Sequence, residues 1–226
     1  SLSDLWGTKS RTGERTFNAT RVMDKIAHTT EALTMAELDA REQLWEFVEL
    51  FLRPHIPGFS KSYIAWSAAK IGVRETRRIL GEYLLTEEDI IAFRDFYDAV
   101  AYGSYSIDVH LPSATGNKET TFTPEHFYGG RHWSIPYRSL VPQRLDNVLV
   151  GGRCLSATHL AMSAVRCMAN TISMGQAAGA AAALCARTGT ACRDLPYPEL
   201  RAELLNQRVW LGLSEQANEE QMLSHR

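Results

Sequence analysis

The chain has 226 residues, 45% apolar and 22% charged, with 24 Lys and Arg set against 26 Asp and Glu for a net charge of -2. This is the make-up of an ordinary globular protein with enough length for a sizeable core, as one large domain or two small ones. The balanced charge shows no basic patch for nucleic acid and no polybasic run for a lipid surface, and the longest apolar run, inside 177–186, is too short to span a bilayer. Cys154, Cys167, Cys185 and Cys192 lack C-x-x-C spacing, which argues against a zinc ribbon or a redox pair and leaves reduced thiols in a cytoplasmic protein as the expectation. No signal peptide is recognisable. With no initiating Met, the sequence is expected to be a processed chain or a piece of a longer one.

In chain order, 1–14 is polar and reads as a poorly ordered tail, and Arg15 to Met23 has the Thr, Phe and Val of a short strand. Thr34 and Glu37 have the spacing of a capping box, and Leu38, Trp45, Val48 and Leu52 form one helical stripe that Pro54 and Pro57-Gly58 terminate. Within 63–83, IGVRETRRILGEY reads as a strand with Val73, Glu75, Arg77 and Ile79 on one face and Arg74, Thr76, Arg78 and Leu80 on the other. Either the charges are ion-paired at the surface, or one or two arginines, Arg77 first, point into a site and bind an anionic group. Thr86 to Ala101 carries a second capped amphipathic pattern with Ile90, Phe93, Tyr97 and Val100 on one face. Tyr105 to Leu111 reads as a strand in which Asp108 and His110 share a face, either as a structural pair or as part of a site. Pro112 to Gly130 reads as a loop or hairpin, and Trp133 to Leu140 as an extended lead toward Asp146.

The most informative stretch is Asp146 to Ala186. Val148-Leu149-Val150, stopped by Gly151-Gly152, fits a buried strand of a parallel sheet. After an irregular linker, the Ala/Gly-rich run from about Ala169 to Arg187 predicts a helix about 28 Å long. Gly175 and Gly179, one turn apart, predict a face open to close packing. The first amides of this helix, at about Ala169 to Thr171, have no intrahelical partner. With the helix dipole and Arg166 just before them, they favour a group carrying negative charge. The competing reading is that this helix is packed core and nothing more. Pro198 to Leu211 predicts a last helix, resting on Leu200, Leu204 and Leu205, and 214–226 a frayed tail. No G-x-S-x-G, P-loop or H-E-x-x-H motif occurs, and none of the fifteen glycines forms G-x-G-x-x-G, the usual pyrophosphate-binding turn.

Several of these blocks resemble a known family. Asn147-Val-Leu-Val-Gly-Gly-Arg-Cys154, Ser156-Ala-Thr-His159, Val165-Arg-Cys-Met168 and the run MGQAAGAAAAL from Met174 to Leu184 look like the C-terminal signature of FAD-dependent oxidoreductases of the glutathione-reductase fold type. Upstream, Thr34-x-x-Glu37-x-x-x-Arg41, GVRETRRI from Gly72 to Ile79, LTEED from Leu85 to Asp89, Asp108-x-His110 and IPYRSL from Ile135 to Leu140 extend the resemblance over roughly 15–211. It implies an α/β protein: an α+β substrate (cap) domain, plus the C-terminal strand and helix of a three-layer FAD/NAD(P)-binding fold. The implied divisions are tail and strand at 1–23, cap at 24–140, C-terminal part of the FAD domain at 141–213 and tail at 214–226. The G-x-G-x-x-G segment of the family is expected as a separate amino-terminal part.

By matching position, the resemblance places Gly151, Gly152, Arg153 and Cys154 beside the ribityl and pyrophosphate portion of FAD. It places Arg166, Cys167, Met168, Ala169 and Asn170 at the flavin's pyrimidine edge, which becomes anionic on two-electron reduction. Ser156 and His159 would approach the ring face, where His159 moves protons during hydride transfer. Ala169 stands where the family commonly has Pro at the opening of the helix; proline is favoured there but not required. The implied function is the substrate-side and flavin-edge portion of an oxidoreductase acting on a small molecule. The alternative is a non-catalytic subunit that depends on a partner chain for its nucleotide site; a flavin-free hydrolase has no nucleophile motif behind it. Unpaired apolar strand edges around 147–151 predict a homodimer, or disorder over 151–170.

Overall fold

A computed structural model describes residues 7–8, 11–23, 27–109 and 130–212. His110, most of the 112–130 loop and the 214–226 tail lie outside them. The chain forms two compact units, Ser1–Val73 and Arg74–Arg226, and the division falls inside the 24–140 stretch that the resemblance assigns to a cap.

In the first unit, β1 (Gly7–Thr8) pairs antiparallel with β2 (Thr16–Phe17); β2 lies in the segment expected to hold a strand, whereas β1 lies in 1–14, expected to be a poorly ordered tail. Helix α1 (Thr30–Glu46) starts a turn earlier than the capping-box spacing predicts. Thr29 is its N-cap and its hydroxyl accepts from the Ala32 amide at 3.2 Å, whereas Thr34 donates back to the Thr30 carbonyl. Glu37, the other half of the expected box, instead accepts from the Ile71 amide at 2.5 Å. The helix runs on through a π-helical segment (Phe47–Leu52) into α2 (Arg53–His55), and chain reversal follows at Gly58, φ +89°.

The expected apolar stripe of α1 breaks in half. Val48 and Leu52 are buried, but Leu38 and Trp45 are 58% and 54% exposed. The i→i+5 bonds of the π segment, such as Arg53 N–H to the Val48 carbonyl, widen the turn. Residues before and after Phe47 therefore no longer share a face. Phe17 packs edge-on to Phe47 at 5.3 Å and lies 5.9 Å from Phe59, closing the small core of this unit.

In the second unit, β3 (Ala99–Gly103) pairs antiparallel with β4 (Trp133–Pro136), with a register irregularity between Ala99 and Ala101. A capping box at Thr86 and Asp89 starts α3 (Glu87–Ile91), which stops after five residues rather than running to Ala101. The pattern is helical, but pairing of 99–103 with the fully buried Trp133 and Ile135 outweighs it, and Phe93 turns the chain at φ +51°. The linker predicted after Gly152 contains a helix, α4 (His159–Val165), followed by α5 (Met168–Thr188), ended by Gly189 in the left-handed conformation, and α6 (Tyr197–Asn206). Helix α5 lies across β3 and α6, and Met174, Ala177, Ala181, Leu200 and Leu204 are buried in one core with Leu85, Ile90, Val100, Leu140 and Leu155.

The chain is thus mixed α and β as expected, but three expected strands are not ladders. Among the described residues Val148–Val150 makes a single backbone bond, Val150 N–H to the Leu140 carbonyl at 3.0 Å, and Val148 is 37% exposed. A parallel strand needs a neighbour along its whole length, and no described residue supplies one. The segments 71–83 and 105–109 form no strand, the first being held by Ile79 N–H to the Cys154 carbonyl and a bridge between Gly81 and Pro142. Gly175 and Gly179 are exposed with nothing within 4 Å of a Cβ at either; the close backbone approach expected of this face occurs at Gly175, against which Gly151 lies.

Candidate functional site

The site grows from the turn between Val150 and α4. Gly152 has φ +91°, a conformation that residues with a Cβ rarely adopt. Gly151 lies directly on α5: a Cβ there would sit 3.3 Å from the Gly175 nitrogen and 3.3 Å from the Met174 carbonyl. The two glycines therefore let the backbone turn against the start of the long helix. Thr158 caps α4, accepting from the Ala161 amide and donating to Glu87 at 2.6 Å. Arg166 closes α4, and Cys167 opens α5 without a side-chain cap. The first amides of α5 are therefore left to an outside acceptor.

These elements form an open cleft of about 490 Å³ lined by Gly151, Gly152, Arg153, Arg166, Met168 and Thr171. Five of the nine cofactor residues named from the sequence meet in it, and Thr171 joins them. Cys154 is exposed, its thiol 3.8 Å from the Gly151 carbonyl, and Ala169 is exposed on the first turn of α5. Burial pushes the Cys167 thiol up. Asn170 turns inward: it is 3% exposed and donates to the Ala164 carbonyl, tying α5 to α4.

The candidates for catalysis divide. Ser156 is 1% exposed, with its amide bonded to the Ser139 carbonyl and its carbonyl to the Leu85 amide, and it does not line the cleft. Arg77 is exposed and does not line the cleft. His159 is the first residue of α4 and reaches solvent; its Nδ1 lies 2.7 Å from Glu75 Oε2. The segment 73–80 is not a strand, yet much of the expected alternation survives in its burial: Val73, Glu75 and Ile79 are half-buried and Arg74, Thr76, Arg78 and Leu80 exposed, with Arg77 exposed against the pattern. Glu75 and Arg78 are ion-paired at 2.6 Å, and Arg74 instead reaches Asp108 at 4.0 Å.

Asp108 organises the charges. Its amide donates to Ser163 Oγ, its carbonyl accepts from Arg166 Nη2 at 3.1 Å, and its carboxylate lies 3.6 Å from the same guanidinium. Burial, then repulsion from Arg74, lowers the pKa of Arg166, opposed by Asp108 and Glu75. Arg166 remains a cation, held at the cleft by one carboxylate. In the sequence Asp108 is legible only as half of a pair with His110; its partnership with Arg166, 58 residues on, has no local pattern. Among the described residues no group of three or more His, Cys, Asp or Glu is placed to hold a metal, and no helix is long and apolar enough to cross a membrane.

Fold and site together define an α/β protein with a cationic, glycine-walled cleft at the head of a long helix, suited to a ligand with negative charge. The profile of the FAD-dependent oxidoreductase family matches residues 4–204, and the chain belongs to that family. No curated protein and no solved structure matches it. Membership carries an FAD-linked redox function. The chemistry of the cleft is compatible with an electron-rich group: Gly151-Gly152 give a wall without side chains, and the guanidinium of Arg166 and the uncapped start of α5 supply positive charge.

Proposed function

We propose that this chain supplies the flavin-edge and substrate-side portion of an oxidoreductase that moves a hydride between a small molecule and FAD. The observation that carries the reading is the meeting of Gly151-Gly152, Arg166 and the open start of α5 at one cleft. FAD, when bound, accepts or donates the hydride. Arg166 and the amides at the start of α5 balance negative charge at the ring edge. Gly151 and Gly152 let the backbone lie close to the cofactor, and Arg153 flanks its charged tail. His159 exchanges a proton with the substrate. The arginine-rich segment beginning at Arg74 attracts an anionic substrate group. In this reading 141–213 serves the cofactor and the part before it the substrate, while the G-x-G-x-x-G turn that grips the ADP half is contributed from outside this sequence.

A fluorescence titration tests this. The purified chain is expected to carry little yellow colour, and added FAD is expected to bind weakly with quenched flavin emission. Arg166→Met is expected to weaken binding about tenfold or more, the loss of one charge-assisted contact. Absence of quenching at millimolar chain, or equal binding by the variant, overturns the proposal.

A further inference from the structure

We infer that Glu75 is a positioning residue for His159: it fixes the imidazole as the Nδ1–H tautomer and leaves Nε2 as the bare, proton-accepting nitrogen. Nδ1 lies 2.7 Å from Glu75 Oε2. An ionised carboxylate only accepts hydrogen bonds, so the ring donates from Nδ1, and the bond made by one ring nitrogen decides the state of the other. The carboxylate is itself pinned. Its second oxygen accepts from Arg78 Nη1 at 2.6 Å, so both oxygens are engaged and the group cannot rotate without breaking a charged contact.

The two ends of the pair are placed differently. The Glu75 side chain is 17% exposed, whereas that of His159 is 64% exposed. The anchor is therefore inside and the ring outside. The backbone of His159 is also fixed, as the first residue of a helix whose cap, Thr158, bonds to Glu87. A free neutral imidazole in water prefers its proton on Nε2. Glu75 reverses that preference and turns the outward nitrogen from a donor into an acceptor. Arg74, next along the chain, and Arg166 both meet Asp108, so the dyad adjoins the charge network at the cleft.

The functional meaning rests on the proton-moving role proposed above for His159. The proton of a substrate O–H or N–H passes to Nε2, the bond to oxygen or nitrogen breaks as Nε2–H forms, and the carboxylate of Glu75 balances the resulting imidazolium.

The test is the ring's tautomer, read by long-range proton–nitrogen correlation on chain labelled with nitrogen-15 histidine, at about pH 9, above the ordinary imidazole range. There are seven histidines, and His159→Gln identifies the signal of interest. The expected result is a protonated Nδ1 in the wild-type chain and a shift toward Nε2–H in Glu75→Leu. A wild-type ring that is Nε2–H, or a variant spectrum unchanged from wild type, overturns the inference. Should Glu75→Leu not fold, the wild-type spectrum decides alone. The FAD titration does not depend on the tautomer, nor the tautomer on FAD, so the two readings fail separately.

Discussion

Asp98 is 2% exposed and holds Arg138 through two guanidinium bonds, at 2.9 and 3.2 Å, while also accepting from the Arg138 amide. Its own carbonyl takes the Tyr137 amide at 2.8 Å, so one residue fastens the end of β4 to the loop before β3. Asp98→Ala leaves the Arg138 cation without its partner. Because that guanidinium is 37% exposed and partly solvated, the expected loss is about 2–3 kcal/mol, below the full cost of a buried orphan charge. Urea unfolding monitored by circular dichroism checks this, and Asp98→Asn, which keeps an acceptor, is expected to lose less. At this scale the sequence is most legible where a residue's role lies in its backbone or its neighbourhood. Gly151, Gly152 and Arg166 stand out through a glycine pair and a cation beside a helix start. Ser156 misleads because a serine's polarity does not report its burial, and Glu75 is invisible as a partner because it lies 84 residues from His159.

Elements are legible where one periodicity holds without competition. Helix α5 is expected over 169–187 and is found at Met168–Thr188. The 86–101 pattern fails because tertiary pairing claims its second half, and the α1 stripe fails because a π turn changes the period at Phe47. Close packing between elements gives a contrasting pair of predictions. A Cβ at Gly81 would lie 2.7 Å from the Ser156 Cβ and 3.2 Å from the carbonyl oxygens of Arg138 and Ser139, all on backbone or rigid atoms. Gly81→Ala is therefore expected to cost about 1–3 kcal/mol by overpacking. Gly72→Ala meets nothing within 4 Å and is expected to stay within about 0.5 kcal/mol of wild type. Thermal melts of the two variants decide it; similar losses in both would show that the 81–85 segment does not pack as described.

Across the whole molecule, fold class is legible from composition and motif order, while the sheet is not. Strand partners are long-range facts, and among the described residues Val148–Val150 has one backbone bond where a ladder is expected. Stability in alkali is expected to depend on several buried and half-buried acids. Burial pushes Tyr197 up to about 12, its hydroxyl donating to the Ala99 carbonyl at 2.7 Å. Tyr102 and Tyr137 are raised further by burial, and Tyr102 also by the nearby Asp95, while Cys185 is pushed up to about 11 by burial and then by Cys192. The fold keeps these protons where the unfolded chain gives them up, the thiol near 9 and the phenols near 10. The stabilisation they provide is complete below those values and is lost as pH rises through the folded ones. Unfolding free energy is expected to fall between about pH 9 and 12. Tyrosinate absorbance should appear together with loss of near-ultraviolet dichroism, and Tyr197→Phe should flatten the slope.

The imidazole–carboxylate contact joins positions 84 residues apart in the chain. Closing so large a loop carries an entropic penalty that the rest of the second unit's packing must offset, so the pair is expected to form only once that packing is in place. A partly folded molecule that kept α5 but had let go of the 74–78 segment would retain most of its helicity and have lost the contact proposed to orient His159. Spectroscopic helicity is therefore a poor proxy for competence in this protein.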